Sequence, residues 1–358
     1  MSSMKRHTLS TAQWLGLGLS LIKAVTLGAG AVAAVPFQRS KGPPTLRKHV
    51  LFAIMRVFTS TLPLKAMLAL NLTTDEAYEK VTKSLGKKLD TVTLEDGTRG
   101  HWIGDRSAEH ILVFSHGGGY ALYAIEPQFQ VLWGLVEEAE RKGKKLAVLF
   151  LSYDVSVTAP YPRQLQQASA LLQYMLNTEK KKPENIILAG DSAGGNLTLA
   201  ILSHAAHKHP RVEPLKLDGR FGAAALVSPW LTFDTKTSDS MKRNKYRDVL
   251  SLRSLDAWSS LFIADATRDN YLEPLYAVPQ WWQDAPVEDV LVISGANEVF
   301  VDDIRAFVKK FQSVHSKVTY VESPNEAHDE FSFAGMFNEP PSQQQVTFER
   351  WVLARIMT

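Results

Sequence analysis

From about Leu89 to the C-terminus, short apolar runs alternate with longer segments in which apolar residues recur at helical spacing. The runs are EHILVFSH, LAVLFLSYD, NIILAGDS, FGAAALVSPW, DVLVISGANEVF and KVTYVESP. Short, bounded apolar runs of this kind read as buried strands. Between them lie PQFQVLWGLVEEAERKGKK, YPRQLQQASALLQYMLNTEKKK, AGGNLTLAILSHAAHK, DIRAFVKKFQSV and SQQQVTFERWVLARI, which read as amphipathic helices. The alternation predicts an α/β class with a mostly parallel central sheet and helices on both faces. DTVTLEDGTRGHWIG predicts an antiparallel hairpin turning at Asp96-Gly97 on the sheet's edge. Between Trp230 and Trp282 the alternation stops, and residues 231–283 read as helices inserted between strands. With the N-terminal helices they predict a helical cap over the sheet.

The N-terminal pattern is different. In residues 1–40, Lys5, Arg6 and His7 precede an apolar run from Trp14 to Val35 that Lys23 interrupts. The run is long enough to span a bilayer, although a central Lys costs about 2.5–3.5 kcal/mol on insertion scales. Three readings stand. Residues 12–35 are a membrane anchor with the basic flank in the cytoplasm, or a cleaved signal peptide with small residues around Ala31 and Ala33. The third is an amphipathic helix on a membrane or over the protein's own active-site mouth. The first points to a membrane-associated protein, the endoplasmic reticulum among its destinations; cytoplasmic and secreted locations are the alternatives. Residues 41–88 carry a second apolar stretch, Leu51 to Leu72, broken by Arg56, Pro63 and Lys65. It reads as one or two amphipathic helices packed as a cap or linker on a main domain over residues 89–358.

Charge narrows the partners. Forty basic and 37 acidic residues leave a net charge of +3 over 358 residues, too balanced to argue for nucleic acid. There is no cysteine, which excludes disulfides, thiolate nucleophiles and cysteine zinc sites. No His-Glu-x-x-His, phosphate-binding loop or dinucleotide fingerprint is present.

The candidate chemistry lies at strand ends. A serine hydroxyl is a poor nucleophile unless a base takes its proton and donors hold the oxyanion. Gly190-Asp191-Ser192-Ala193-Gly194 sits between a predicted strand and a predicted helix. There the small flanking residues permit a turn tight enough to thrust Ser192 up at the sheet edge. His116-Gly117-Gly118-Gly119 follows another strand and predicts backbone amides turned inward. Gly118, Gly119 and Ala193 are the expected oxyanion donors, with His116 shaping the loop rather than acting as base. The base should follow the last strand, which selects His328 over His204, His207, His209 and His315. The acid should follow the strand before it. Glu298 is preferred there, with Asp302 as the main alternative and Asp303 behind it. Tyr120, Trp230, Trp281 and Trp282 are candidates for lining a substrate pocket. Asn71-Leu72-Thr73 and Asn196-Leu197-Thr198 are glycosylation sequons, the second expected to be unused because it begins the helix behind Ser192.

These motifs, with His328, resemble the hormone-sensitive-lipase-like branch of the α/β-hydrolase superfamily from about Thr91 onward. NYLEPLYAVPQWW and VISGANEVFVDD look like its fungal members, which include steryl acetyl hydrolases and esterases of secondary metabolism. The sequence departs from the branch's Asp-x-Leu-x-Asp pattern, placing Glu298 and Asp302 at the two acidic positions. SYDVSVTAPYP also departs from the usual Tyr-Arg-Leu-Ala-Pro-Glu segment. The resemblance implies an α/β-hydrolase fold and a serine carboxylic-ester hydrolase acting on a small apolar or acetylated molecule, without metal or cofactor. The same residues would serve an acyltransferase, a thioesterase or a lactone-forming enzyme. A ligand-binding protein on this scaffold is the non-catalytic alternative, against which His328 argues.

Overall fold

A computed structural model describes residues 6–357; Lys5 of the basic N-terminal flank lies outside the described residues. The chain begins with α1 (Thr11–Ala34), α2 (Leu46–Thr61), α3 (Leu64–Leu70) and α4 (Thr74–Ser84). The hairpin β1 (Thr91–Thr93) and β2 (Arg99–Ile103) follows. Then come β3 (His110–Ser115), α5 (Glu126–Arg141), β4 (Leu146–Ser152), α6 (Arg163–Asn177), β5 (Ile186–Asp191), α7 (Ala193–Ala206) and β6 (Ala223–Val227). Two helices, α8 (Asp239–Arg243) and α9 (Leu252–Ile263), lie in the segment where the alternation stopped. The chain ends with β7 (Val290–Gly295), α10 (Val301–Gln312), β8 (Val318–Ser323), α11 (Glu330–Met336) and α12 (Gln343–Met357).

The strands form one sheet in the order β1-β2-β4-β3-β5-β6-β7-β8. β1 and β2 pair antiparallel, β2 joins β4 antiparallel, and every later pairing is parallel. The hairpin turns at Gly97, whose φ of 84° suits a residue without Cβ. The central strands are buried on both faces, as parallel strands between helices must be. Pleating sends alternate residues to different layers. Leu149, Leu188, Leu226 and Val292 pack toward α6, α7 and α10, while Val148, Ile187, Ala225 and Leu291 pack toward α5 and α12.

Parallel register aligns the strand ends. Ser115 lies opposite Gly190, Asp191 opposite Val227, and Gly295 opposite Ser323. The loops after β3, β5, β7 and β8 therefore emerge along one carboxyl edge, where open α/β sheets bind ligands. Above that edge sit α2, α3, α9 and α11. By contrast, α1 is largely exposed: Leu15, Leu19, Ile22 and Val25 face outward, and Leu17, Ala24 and Gly28 are buried.

Candidate active site

At the end of β5 the chain reverses into α7 through Ser192, which holds φ 52° and ψ −116°. A side chain in that region is strained and persists only where the surroundings impose it. The imposing contacts involve the neighbouring glycines. A Cβ on Gly190 would lie 2.4 Å from the Gly194 carbonyl, and one on Gly194 would lie 1.8 Å from the Ser115 carbonyl oxygen. No side chain fits at either place, so the turn can pack against β3 only with glycine there.

The loop after β8 brings His328 to this serine. The His328 Nε2 and Ser192 Oγ are 2.9 Å apart, and His328 Nδ1 lies 3.0 Å from a Glu298 carboxyl oxygen. The other Glu298 oxygen accepts from the Gly295 amide at 2.7 Å and the Ser228 hydroxyl at 3.2 Å. Phe300 meets the imidazole in a T-shaped contact at 5.0 Å. Asp302 turns elsewhere: it accepts from the Ser240 amide at 2.9 Å and pairs with Arg243 and Arg305. Asp303 lies beside Ser238. Of the three acids, the structure brings only Glu298 to the imidazole.

Burial sets the protonation of the pair. Desolvation lowers the His328 imidazole against the opposing pull of Asp248 and Asp191, keeping it neutral and able to accept a proton. Burial also pushes the Glu298 carboxyl up to about 8, against the Gly295 amide and the Ser228 hydroxyl.

Across the cleft, the glycine loop after β3 is fixed from behind. The Gly117 amide donates to Asp191 at 2.9 Å, and Gln128 of α5 donates to the second Asp191 oxygen at 2.8 Å. Gly118 and Gly119 hold φ 101° and 62°, and a Cβ on Gly119 would strike the Trp258 ring at 2.5 Å. Among the described residues, the amides of Gly118, Gly119 and Ala193 donate to no protein group, so all three are free for a ligand oxygen. His116 is fully buried, stacks on Tyr153 at 4.1 Å and bonds the Gly117 carbonyl through Nδ1. Burial drops its imidazole to about 4, so it shapes the loop as a neutral ring.

Ser192, His328 and the three glycines open onto a cavity of about 790 Å³ whose walls are largely apolar. Phe58 and Met55 of α2, Leu68 of α3, Tyr123, Trp258 of α9 and Phe333 of α11 line it. The four expected aromatics do not. Trp230 is buried between Phe233 and Phe300, and Trp282 packs on Phe307 and Phe311. Trp281 stacks on His207, and Tyr120 bonds Asn196 within the core. Their large apolar surfaces seat the insertion on the sheet instead. Met55, Phe58, Leu68 and Trp258 lie on segments that sequence reading assigned only to a cap, and Tyr123 and Phe333 lie in the main domain. The apolar run Leu51 to Leu72 was the available signal for α2 and α3, but amphipathic spacing does not say which face meets a ligand. Asn196 is buried and donates to the Trp230 and Leu272 carbonyls, which bars a glycan there. Among the described residues no cluster of His, Asp and Glu is arranged to hold a metal ion.

A family model described as steryl acetyl hydrolase matches residues 66–356. Steryl acetyl hydrolase 1 of Saccharomyces cerevisiae is 26% identical over 235 residues, covering 62% of this chain and 52% of the yeast protein. The match thus spans about half the length of that relative. An esterase of Acinetobacter venetianus is 28% identical over 229 residues, 63% of this chain and 69% of its own. Among solved structures, an esterase of the bacterial hormone-sensitive lipase family superposes with a TM-score of 0.63 at 21% identity, covering 86% of this chain and 97% of its own. Carboxyl esterase 2 of Tuber melanosporum gives 0.62 at 18% identity, over 75% and 86%. The fold is that of the α/β-hydrolases.

Proposed function

The chain belongs to the steryl acetyl hydrolase family, and we propose that it is a serine carboxylic-ester hydrolase that removes short acyl groups from apolar alcohols. The observation that carries this reading is the hydrogen-bonded series Ser192–His328–Glu298 at the floor of a large apolar cavity. The geometry supports the following chemistry. Nε2 of His328 takes the Ser192 proton as Oγ attacks the acyl carbon. The carbonyl oxygen becomes an oxyanion held by the amides of Gly118, Gly119 and Ala193, each such donor contributing about 2.7–4 kcal/mol. Glu298 keeps the Nδ1 proton in place and stabilises the imidazolium, which then protonates the departing alkoxide. Water, deprotonated by His328, attacks the acyl-serine, and the imidazolium returns that proton to Ser192 Oγ as the acid leaves.

The substrate class rests on the cavity. Its volume is in the upper part of the range of small-ligand sites, and its walls from α2, α3 and α9 offer apolar surface rather than charge. An acetylated sterol, or an apolar product of similar bulk, suits such a space. The N-terminal helix adds to this reading. Its 24 residues span about 36 Å at 1.5 Å per residue, and its apolar residues run around the helix rather than along one face. We take α1 to anchor the protein in a membrane.

The test is a Ser192→Ala variant assayed on p-nitrophenyl acetate and on sterol acetates, with products identified by mass spectrometry. Turnover of both should fall to background while the variant remains folded. Retained turnover in the variant would refute the nucleophile. Absence of turnover in the wild-type protein, with no labelling of Ser192 by a fluorophosphonate, would refute the esterase.

A further inference from the structure

Two more buried carboxyl groups flank the reacting residues. Asp191 directly precedes Ser192, and Asp329 directly follows His328. Both side chains are almost wholly removed from solvent, and their carboxyl groups lie against each other. Asp191 has its own donors, the Gly117 amide on one oxygen and Gln128 on the other. Asp329 accepts from Ser332 through one oxygen at 2.8 Å, and its other oxygen is buried with no donor. Two ionised carboxylates have only acceptors and cannot bond each other. The contact needs one proton, and the satisfied Asp191 is the side that stays ionised.

We propose that a proton held on Asp329 and shared with Asp191 fastens the His328 loop to the serine turn, making Asp329 a positioning residue for Ser192 and His328. The contact joins the end of β5 to the loop after β8. Asp191 passes the constraint on to the glycine loop through Gly117. Asp329 holds φ 53°, a conformation that Asp and Asn tolerate better than most residues, and its amide donates to Ser228 at 3.2 Å. Ser228 also donates to Glu298, so the tie reaches all three reacting side chains.

The surroundings favour this proton. The titratable groups facing Asp329 are Asp191 on β5, Glu298 after β7 and the adjoining His328, with Asp248 on the His328 amide from the insertion. Arg56 of α2 donates to the backbone carbonyl of Asp248, and Lys48 is paired with Glu330 and Glu339. Burial and the facing carboxylate together push Asp329 well above the ordinary carboxyl range. Raising the pH through that value removes the tie and leaves two charges against each other, so the reacting geometry should fail on the alkaline side.

The role in positioning rests on the esterase reading; the shared proton does not. Infrared spectra of folded protein at neutral pH should show two protonated-carboxyl bands, one lost in Asp329→Asn and kept in Glu298→Gln, the other, from Glu298, lost in Glu298→Gln and kept in Asp329→Asn. Labelling of Ser192 by a fluorophosphonate should then be followed against pH. Asp329→Asn donates the same bond without titrating, so its labelling should persist at alkaline pH where the wild type loses it. Asp329→Gly tolerates the backbone angle but lacks the bond, and should label about tenfold or more slowly than Asp329→Asn at neutral pH. If Asp329→Asn does not fold, Asp191→Asn should likewise abolish the first band. A first band unchanged in either variant overturns the shared proton. Equal labelling of the Asn and Gly variants, or an alkaline loss unchanged in Asp329→Asn, overturns the positioning role. A first band behaving as expected in a wild-type protein that is never labelled would refute the esterase and leave the proton standing.

Discussion

In the proposed triad, Glu298 would serve the reaction at the expense of the fold. Its carboxyl is fully buried and raised to about 8. A carboxyl raised in the folded state loses stability for the protein as pH climbs from its ordinary value near 4.3 through the folded value. Glu298→Gln removes that loss, so the variant should melt at higher temperature than the wild type at pH 8–9 by calorimetry. It should also lose about 10⁴-fold in kcat, because an amide no longer fixes the working tautomer of His328. In the wild type, kcat/KM for p-nitrophenyl acetate should rise with pH with a midpoint near 8, as Glu298 ionises. A midpoint at or below 6.5 would assign that limb to His328 alone. The motif residues were legible in sequence because their chemistry is tied to local geometry. Gly190 and Gly194 are glycines for want of space, and Gly194→Ala should abolish the folded serine turn, since its methyl would overlap the Ser115 carbonyl. Sequence position after β7 favoured Glu298 but left Asp302 as an alternative, because the pattern does not say what the carboxyl at the start of α10 meets. Arg243 and Arg305 draw Asp302 away.

The layers and strand order follow from alternating runs, and the elements of the sheet were readable for that reason. The cap was readable only as helices. α2 and α9 face the cavity on one side and the protein on another, and both faces are apolar, so periodicity does not separate lining from core. The expected aromatics illustrate this: Trp230 and Trp282 are packed beneath the cap, whereas Trp258 lies over the glycine loop. The short helix α11 was also missed, because the loop carrying His328 has too few residues for a periodic signal. The cavity wall makes its own prediction. Phe58 on α2 lines the space, and burying such a side chain against an apolar ligand contributes about 1.5–3 kcal/mol. Phe58→Ala should therefore raise KM for a sterol acetate by about tenfold or more, and by less for p-nitrophenyl acetate, in steady-state assays of both. Equal changes for the two substrates would place the sterol elsewhere.

At the scale of the whole molecule, the exposed N-terminal helix and the apolar cavity are parts of one arrangement. α1 packs along α2, whose other residues form the cavity wall. Arg6 pairs with Glu76 of α4, and His7 stacks on Tyr123, itself a lining residue, so the start of α1 is pinned beside the cavity. A helix inserted in a bilayer at that place would hold the opening close to the lipid, where a sterol ester resides. Lys23 lies near the middle of α1, and its charge would reach the interface by extending along the helix or settle against α2. Removing residues 1–40 should separate two properties. The truncated chain should no longer float with phospholipid vesicles in a density gradient, and its hydrolysis of a sterol acetate presented in those vesicles should fall at least as far as its binding. Its hydrolysis of p-nitrophenyl acetate in solution should fall much less, because Ser192, His328 and Glu298 all lie on the sheet edge. Flotation that survives the truncation would mean that some other surface binds lipid, and α1 would then be no more than a cover on α2.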